Sequence, residues 1–426
     1  MLSKIFGQNK AKQGIAWLLY DFANSIVIVV FFLYFSQWLV VDRGVPDIWY
    51  NLIFTGSSIL LILTSPILGI IADKKQQRMP LLRFSTVLMF VCLAVVSLLA
   101  LFGSLSAKIT YAIVGFYLLA SYFYQLSFSF YNPLLDEVAP QEKRGLISGL
   151  GQSANWLGSI FGLGVSLPLI TGAIYLFGNS GRPQTFLPAT ILFFLLALPS
   201  LIILKDPNPV KIKINIFSEY KTYFASLKEM FRIPGVGRYL LAFFFFNDAL
   251  LTVQNNFPIY LEQVFNVSDK IKSILLGSTL VFSVIGAFLG GFIADKLGHK
   301  KTLLIILTSW LVVFPLLGTI KIFPIFCALT VCLGFLYGAT WSVTRAVMVD
   351  LTPKQNLNHA FSYYTLAERF ATFVGPVTWG LITSLLIHRG PVRYQFAFVS
   401  MTIFVAIGLY IVRKIPNDKK TAPVVV

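Results

Sequence analysis

The sequence predicts an all-α membrane protein in which twelve transmembrane helices form two six-helix, pseudo-symmetric halves. Three observations lead to this prediction. Hydrophobic residues make up 57% of the 426 residues and charged residues only 12%, against roughly 25% charged in an average soluble domain. Apolar runs of about 20 residues, the length that crosses a bilayer, recur along the whole chain. A charged hairpin follows the second run and recurs after the eighth.

The apolar runs define the twelve predicted spans. They cover residues 15–41, 48–72, 80–103, 109–134, 145–172, 186–204, 237–262, 272–294, 302–320, 322–348, 358–387 and 394–412. Residues 205–236 form the longest connection between spans, so we expect a first bundle at 1–204, a linker, and a second bundle with a short tail at 237–426. Within this linker, residues 217–231 repeat large apolar side chains at helical spacing, which predicts an amphipathic helix on the inner membrane surface.

The distribution of basic residues predicts the orientation. Lys and Arg are roughly three times as frequent in the segments on the side of the N-terminus as in the alternate loops. The positive-inside rule then places both termini in the cytoplasm. Because most cations lie between apolar runs, the net charge of +17 is a topology signal, and we expect no nucleic-acid partner. The short loops favour a monomer in a bacterial inner (plasma) membrane.

Motifs for enzyme chemistry and for metal binding do not occur in the sequence. The three cysteines lie within apolar runs and lack metal-ligand spacing. No G-x-S-x-G, H-E-x-x-H or phosphate-binding Gly-Lys-Ser/Thr motif is found. We therefore expect a protein that is not an enzyme and that needs no metal or cofactor.

The two charged hairpins each join a Gly, an Asp and several cations at the end of an apolar run. The first reads G-I-I-A-D-K-K-Q-Q-R at 69–78, and the second reads G-F-I-A-D-K-L-G-H-K at 291–300. Acid-containing segments also close span four, with Glu137 and Arg144, and span ten, with Asp350. A duplicated membrane bundle of this kind is typical of proteins that transport solutes around a central site.

With these hairpins the chain resembles the major facilitator superfamily, whose pattern is G-x-x-x-D-[RK]-x-G-[RK]-[RK]. The second hairpin matches closely, with His299 in a basic position, whereas Gln76 and Gln77 depart from the pattern in the first. The resemblance implies a set of gating residues that latch the inward side shut. These residues are Gly69, Asp73, Arg78, Glu137, Arg144, Gly291, Asp295, Lys296, Lys300 and Asp350. The alternative is that the cations among them only set topology.

Four stretches are similar to the branch of the fungal vacuolar amino-acid effluxer and its bacterial relatives. They are W-L-L-Y-D-F-A-N-S at 17–25, F-Y-N-P-L-L-D-E-V-A-P at 130–140, F-N-D-A-L-L-T at 246–252 and F-S-Y-Y-T-L-A-E-R-F at 361–370. The eukaryotic members of this branch are associated with amino-acid release from the vacuole. We expect alternating-access transport of a small polar organic solute, an amino acid or similar zwitterion, with a proton or cation as the coupling ion. Two alternatives remain open: a sugar or lipid-like amphiphile as cargo, and a membrane receptor that does not transport.

Asp248 is the strongest candidate binding residue. An ionised side chain at mid-bilayer costs on the order of 2.5–3.5 kcal/mol, so it needs a partner or a water-filled cavity. The polar residues around it are Asn247, Thr252 and Asn255. Asp248, Thr252 and Asn255 are spaced i, i+4 and i+7 and share one helix face. We expect Asp248 to bind the amine of a solute or a proton. A salt bridge to Arg345 or Arg369 that only stabilises the fold is the alternative.

Arg345 in span ten is the candidate for binding an anionic group. It lies near Trp341, and the repeat pairs it with Asn132 of span four, beside Tyr131. A cation among aromatic and amide side chains suits a carboxylate. The alternative is that Arg345 only neutralises Asp248.

Three further charged residues fall within predicted spans. Asp21 and Asn24 make a polar stripe on span one, which is either a proton or cation site or a structural contact with a neighbouring span. Glu368 and Arg369 are adjacent, so they point about 100° apart on a helix and cannot face the same spot. Glu368 shares its face with Tyr364 and is either a proton carrier or a structural carboxylate.

Overall fold

The computed structural model describes residues 6, 10–103, 106–138, 144–177, 181–206, 228, 235–352, 364, 367–368 and 371–415. For residues 73, 136, 144–146 and 148 it describes the backbone alone. The predicted amphipathic helix at 217–231 lies outside the described residues, apart from Lys228.

Twelve main helices run through the described part of the chain. They are α1 (Ala11–Asp42), α2 (Asp47–Lys75), α3 (Met79–Phe102), α4 (Ala107–Tyr131), α5 (Arg144–Ile170), α6 (Phe186–Ile203), α7 (Val236–Phe265), α8 (Asp269–Leu297), α9 (His299–Thr319), α10 (Phe323–Leu351), α11 (Val374–Leu385) and α12 (Val392–Arg413). Short turns follow α4 at Asn132–Leu134 and Leu135–Val138, and precede α6 at Arg182–Thr185. The second half of α1 is π-helical at Phe31–Phe35 and Trp38–Asp42.

The helix lengths confirm the predicted all-α membrane fold. Among the described residues, eleven helices are long and apolar enough to cross a membrane, and no β-strand occurs. Helix α11 has 12 residues and is shorter. Most of the remainder of its predicted span, 358–387, lies outside the described residues. The side of the membrane that each terminus faces stays a prediction.

The chain divides into two compact units. The first unit contains Met1–Val45 and Ile59–Tyr220, and the second contains Pro46–Ser58 and Lys221–Val426. The start of helix α2 therefore packs with helices from the second half of the chain. Chain order alone does not reveal this exchange.

In the first unit, glycines allow helix α5 to lie directly against helix α1. A Cβ atom added at Gly158 would collide with the carbonyl oxygen of Phe22, and one at Gly162 would come within 2.9 Å of the carbonyl oxygen of Ile26. Small residues spaced four apart allow such close backbone approach between membrane helices. This contact fixes α5 beside the polar stripe of α1.

In the second unit, the same device joins helices α8 and α10. Added Cβ atoms at Gly334 and Gly338 would collide with the backbone of Thr279 and Ser283. The Ser283 hydroxyl also donates a 2.9 Å hydrogen bond to the carbonyl of Gly334. Close packing of this kind depends on van der Waals contact, because lipid supplies no hydrophobic drive between helices.

Candidate functional site

The carboxylate of Asp248 caps the N-terminus of helix α11 from helix α7. Its Oδ2 accepts hydrogen bonds from the backbone N–H of Val374, at 3.1 Å, and of Gly375, at 2.7 Å. The first N–H groups of a helix have no partner within the helix and favour a nearby anion. The Asp248 side chain is fully buried, at 0% exposure. In the described part of the chain it forms no ion pair, with Arg345 or with any other cation.

Three buried polar atoms around this cap have no hydrogen-bond partner among the described residues. They are Asp248 Oδ1, Asn247 Nδ2 and Thr252 Oγ1. Each unsatisfied buried group costs about 1–3 kcal/mol. A concentration of such groups requires an explanation beyond folding, such as a bound species.

Helix α11 needs an external cap because the chain is not helical immediately before it. Residues 371–373 form bends, although Ala367 and Glu368 upstream are helical. The amides at the start of α11 are therefore left to be satisfied by other groups. Backbone interrupted within a membrane is tolerated where it is buried in protein or lines a cavity, and interrupted helices commonly form binding sites in transporters.

Asn255, the third residue of the predicted polar face on α7, is half-buried and contacts a different region. Its carbonyl oxygen accepts a 3.1 Å hydrogen bond from the hydroxyl of Tyr50. Helix α7 continues through Pro258 to Phe265. The structure thus brings Asp248 and Thr252 together around Gly375, and places Asn255 nearer the start of α2.

Arg345 and Glu368 both interact with the Tyr364 hydroxyl. That hydroxyl donates a 2.9 Å hydrogen bond to Thr344 Oγ1, and it is within hydrogen-bonding reach of Arg345 and electrostatic range of Glu368. Tyr364 is buried and stacks on Phe243 at 4.4 Å, whereas Arg345 is exposed and Glu368 half-buried. The buried Tyr364 hydroxyl therefore has a cation and an acid in its neighbourhood. Nearby Trp341 is half-buried, and Arg369 lies outside the described residues.

Tyr131 is held rigidly in the first unit. Its ring stacks on Trp17 at 5.0 Å with an interplanar angle of 9°. Its hydroxyl donates a 2.8 Å hydrogen bond to the Trp17 carbonyl, and Trp17 Nε1 donates to the Tyr131 carbonyl at 3.4 Å. Asn132, the next residue, is exposed and opens the turn after α4. Tyr131 is therefore held in place by a stacked ring and a hydrogen bond, and the exposed amide of Asn132 follows it.

Asp21 has side-chain partners from neighbouring spans. Asn155 Nδ2 of helix α5 donates to Asp21 Oδ1 at 3.4 Å, and Tyr131 interacts with the same carboxylate. Asn24 Nδ2 donates to the Tyr20 carbonyl of its own helix at 2.9 Å, and Asn24 Oδ1 has no partner among the described residues. The half-buried Asp21 thus links α1 to α4 and α5.

The second hairpin forms a compact polar network. His299 Nδ1 contacts Asp350 Oδ2 at 2.5 Å, and His299 Nε2 contacts Asp295 Oδ1 at 3.4 Å. Lys300 Nζ donates to the carbonyls of Arg413 and Ile415 at the end of α12. Two further predicted gating residues, Gly291 and Lys296, lie on helix α8. A Cβ atom added at Gly291 would come within 3.1 Å of Ser342 Oγ. Lys296 Nζ lies 4.2 Å from the centroid of the Phe292 ring.

The first hairpin is organised through backbone groups. Asp206, which follows helix α6, accepts the backbone N–H of Arg78 at 2.9 Å and of Met79 at 3.1 Å. At the end of span four, the backbone carbonyl of Glu137, another predicted gating residue, accepts a 2.5 Å hydrogen bond from Lys10 Nζ. Gly69 has open space where a Cβ would lie. The side chains of two predicted gating residues are not described; they are Asp73 and Arg144.

A polar cluster at the start of α2 was missed by the sequence analysis. The Asn51 and Asn256 side chains exchange two hydrogen bonds, of 3.0 and 2.8 Å. The Tyr394 hydroxyl donates to Asp47 Oδ2 at 2.9 Å, with Arg393 Nη2 3.8 Å from the same oxygen. Asp47 and Asn51 are four residues apart, so their shared helix face was a usable signal.

Comparison with known proteins identifies similar chains along nearly the whole length. A family model described as Major Facilitator Superfamily matches residues 18–278 and 251–425. An uncharacterized MFS-type transporter of Bacillus subtilis (strain 168) is 22% identical over 429 residues, covering 96% of this chain and 96% of the relative. Autophagy-related protein 22 of Vanderwaltozyma polyspora is 23% identical over 220 residues, covering 49% of this chain and 42% of the relative.

A solved structure has the same fold. The crystal structure of a D-xylose-proton symporter aligns with a TM-score of 0.69 and 15% sequence identity, covering 97% of this chain and 99% of that chain. At this identity the likeness concerns the fold alone.

Proposed function

Because the chain belongs to the Major Facilitator Superfamily, we propose that it is a secondary transporter that moves an amino acid or a similar zwitterion by alternating access. We place it in a bacterial inner membrane and couple it to protons. The pairing of Arg345 and Glu368 around the Tyr364 hydroxyl is the observation that supports a zwitterionic solute.

The arrangement supplies a charge for each end of an amino acid. The exposed guanidinium of Arg345 suits a carboxylate, which it can bind with two parallel hydrogen bonds. The half-buried carboxyl of Glu368 suits the ammonium group. Tyr364 is fixed by Thr344 and by stacking on Phe243, and it offers the solute a hydroxyl near both charges. The buried Asp248 is then left for a coupling proton.

Transport by purified protein in liposomes tests the proposal. We expect counterflow exchange of labelled amino acids, and we expect Arg345→Gln to weaken the apparent affinity about 10- to 100-fold, since a charged hydrogen bond contributes about 1.5–3 kcal/mol. The matched control is Arg389→Gln, an exposed arginine at the end of α11, which should exchange like the wild type. Equal loss in both variants would exclude the assigned role of Arg345.

Ligand-induced thermal stabilisation distinguishes the alternative cargoes. A ligand that binds only the folded protein raises its melting temperature, so amino acids should stabilise the protein more than glycosides or lysolipids. Sugars belong in this panel because the structural neighbour carries D-xylose. Stabilisation by glycosides or lysolipids instead would replace the amino-acid proposal. Saturable binding without flux would indicate a receptor.

A further inference from the structure

We propose that Asp248, Thr252 and the backbone of Gly375 form a closed site for a single proton, and that its occupancy controls how tightly helix α11 is attached to helix α7. This inference rests on the proposed transport function and deepens it, because it assigns the coupling proton to a defined pair of oxygens.

The geometry encloses the two unpartnered oxygens on the side of Gly375. A Cβ atom added there would come within 2.9 Å of Asp248 Oδ1 and would collide with Thr252 Oγ1. Both oxygens therefore approach the same glycine. The side chains of Asp248 and Thr252 are 0% exposed, and neither of these oxygens has a hydrogen-bond partner among the described residues.

The enclosure favours a proton over larger cations. The ammonium group of a solute needs room for its three donors and for the carbon that carries it, and a Cβ atom alone would already overfill the space at Gly375. Hard metal cations such as Ca²⁺ take about six to eight oxygen ligands, whereas two side-chain oxygens are present here. A proton on Asp248 Oδ1 turns a buried acceptor that no described donor reaches into a hydroxyl, and it removes a charge that burial disfavours.

Proton binding at this site changes the cap of α11. When Asp248 is ionised, its carboxylate accepts the N–H groups of Val374 and Gly375 as charge-assisted hydrogen bonds, which are roughly twice as strong as neutral ones. When Oδ1 takes up a proton, the same two N–H groups bond to a neutral carboxyl and are held more weakly. The one covalent bond that forms is the O–H bond of the carboxyl; its proton is taken up from water and is returned to water when the site opens.

In the described part of the chain, the neighbouring ionisable groups bond elsewhere and none of them pairs with Asp248. On α10, the Tyr337 hydroxyl donates to the Leu250 carbonyl and Arg345 interacts with Tyr364. Upstream of α11, Glu368 interacts with Tyr364, and on α12 Tyr394 and Arg393 interact with Asp47. On α7 itself, the Tyr239 hydroxyl donates to the Thr344 carbonyl. Among the described residues, the hydrogen-bond partners of the Asp248 carboxylate are backbone amides.

Two transport assays on Asp248→Asn test the site. With one proton per solute, a one-unit pH gradient supports up to about tenfold accumulation. We expect the variant to lose this accumulation and yet to keep counterflow exchange at equal pH, because Asn retains an oxygen that accepts both amides. Loss of exchange together with accumulation would show that Asp248 binds the solute and overturn the inference. Accumulation at the wild-type level would also overturn it.

A substrate-free measurement separates this inference from the proposed function. Hydrogen exchange of the peptide 371–385, corrected for intrinsic pH dependence, should show protection of the Val374 and Gly375 amides that falls on acidification in the wild type. Protection should be independent of pH in Asp248→Asn. If the wild-type protection does not titrate, the proton site is wrong even if amino acids are transported; if it titrates and no amino acid is exchanged, only the cargo is wrong.

Two substitutions probe the enclosure itself. Gly375→Ala places a methyl group against both oxygens, and Thr252→Val removes the second of the two unpartnered oxygens while keeping nearly the same volume. Each should shift the titration of amide protection, and Thr252→Val covers the case in which Gly375→Ala folds poorly. The control is Gly277→Ala in α8, where an added Cβ meets open space. A titration unchanged in both variants would contradict the proposed site.

Discussion

The first helix of each half carries an acid, Asp21 in α1 and Asp248 in α7, and the two acids make different bonds. Each carboxylate lies against a glycine of a neighbouring span, Gly151 for Asp21 and Gly375 for Asp248; added Cβ atoms would come within 3.4 and 2.9 Å of the respective acid oxygens. Asp21 is half-buried and bonds to side chains, including Asn155. Asp248 is fully buried and bonds to backbone amides.

The difference follows from the neighbouring span. Helix α5 runs without interruption from Arg144 to Ile170 past Asp21, so its amides are satisfied within the helix. Helix α11 begins at Val374, beside Asp248, and presents free amides to it. A carboxylate beside an intact helix can only cross-link side chains, whereas one beside a helix start carries part of the backbone hydrogen bonding. We infer that a change in charge at Asp248 reaches further into the structure than the same change at Asp21.

The largest expected effect on stability separates these two acids. Asp248→Ala leaves the Val374 and Gly375 amides buried without an acceptor and should lower the free energy of unfolding by about 2–4 kcal/mol. Asp21→Ala removes a 3.4 Å hydrogen bond at a half-buried site, and should cost less than about 1 kcal/mol. Thermal unfolding of the purified variants in one detergent measures both.

Asp248→Asn provides the control for this comparison. Because the amide oxygen of Asn can still accept both N–H groups, this variant should unfold close to the wild type. If Asp248→Ala and Asp21→Ala destabilise the protein equally, the cap does not stabilise α11 and the contrast between the two acids is lost.

A second, intermediate effect contrasts buried asparagines of the two units. Asn256 exchanges hydrogen bonds with Asn51, so Asn256→Leu leaves a buried amide without its partner and should cost about 1–3 kcal/mol. Asn24 Nδ2 bonds to a carbonyl of its own helix, which already has a helical donor, so Asn24→Leu should cost less. The same unfolding assay measures both variants.

A double substitution tests whether the Asn51–Asn256 pair is the cause. Replacing both residues by Leu removes both amides and should recover part of the loss of the single variant, since groups in direct contact are not additive. Additive losses in the double variant would show that the exchanged hydrogen bonds contribute nothing specific.

The membrane fold could be predicted from the sequence because its signals are local. Hydrophobic length identifies each span, and the hairpins at 69–78 and 291–300 identify the repeat without any knowledge of packing. The packing of residues 46–58 with the second unit could not be predicted, since it depends on which helices meet in space.

The arrangement of the candidate residues could not be predicted from the sequence. Charge within an apolar run identified Asp248, but its bonds depend on where α11 begins. Pro376 gave a signal for that start, because proline is tolerated in the first turn of a helix and not in its interior. The interaction of Arg345 and Glu368 with one hydroxyl required the rotation of α10 about its axis, which hydropathy does not determine.

The smallest expected effect concerns the two hairpins. The second is joined through the side chains of His299 and Asp350, whereas the first is joined through backbone amides that bond to Asp206. His299→Gln should therefore cost no more than about 1 kcal/mol, because part-exposed ion pairs contribute little, and raising the salt concentration should reduce the difference from the wild type. Asp206→Ala, which frees two amides at the start of α3, should cost about as much or more and be less sensitive to salt.

Thermal unfolding at low and high salt measures both variants. A salt-sensitive Asp206→Ala beside a salt-insensitive His299→Gln would reverse the contrast, and would mean that charge organises the first hairpin and backbone bonding the second.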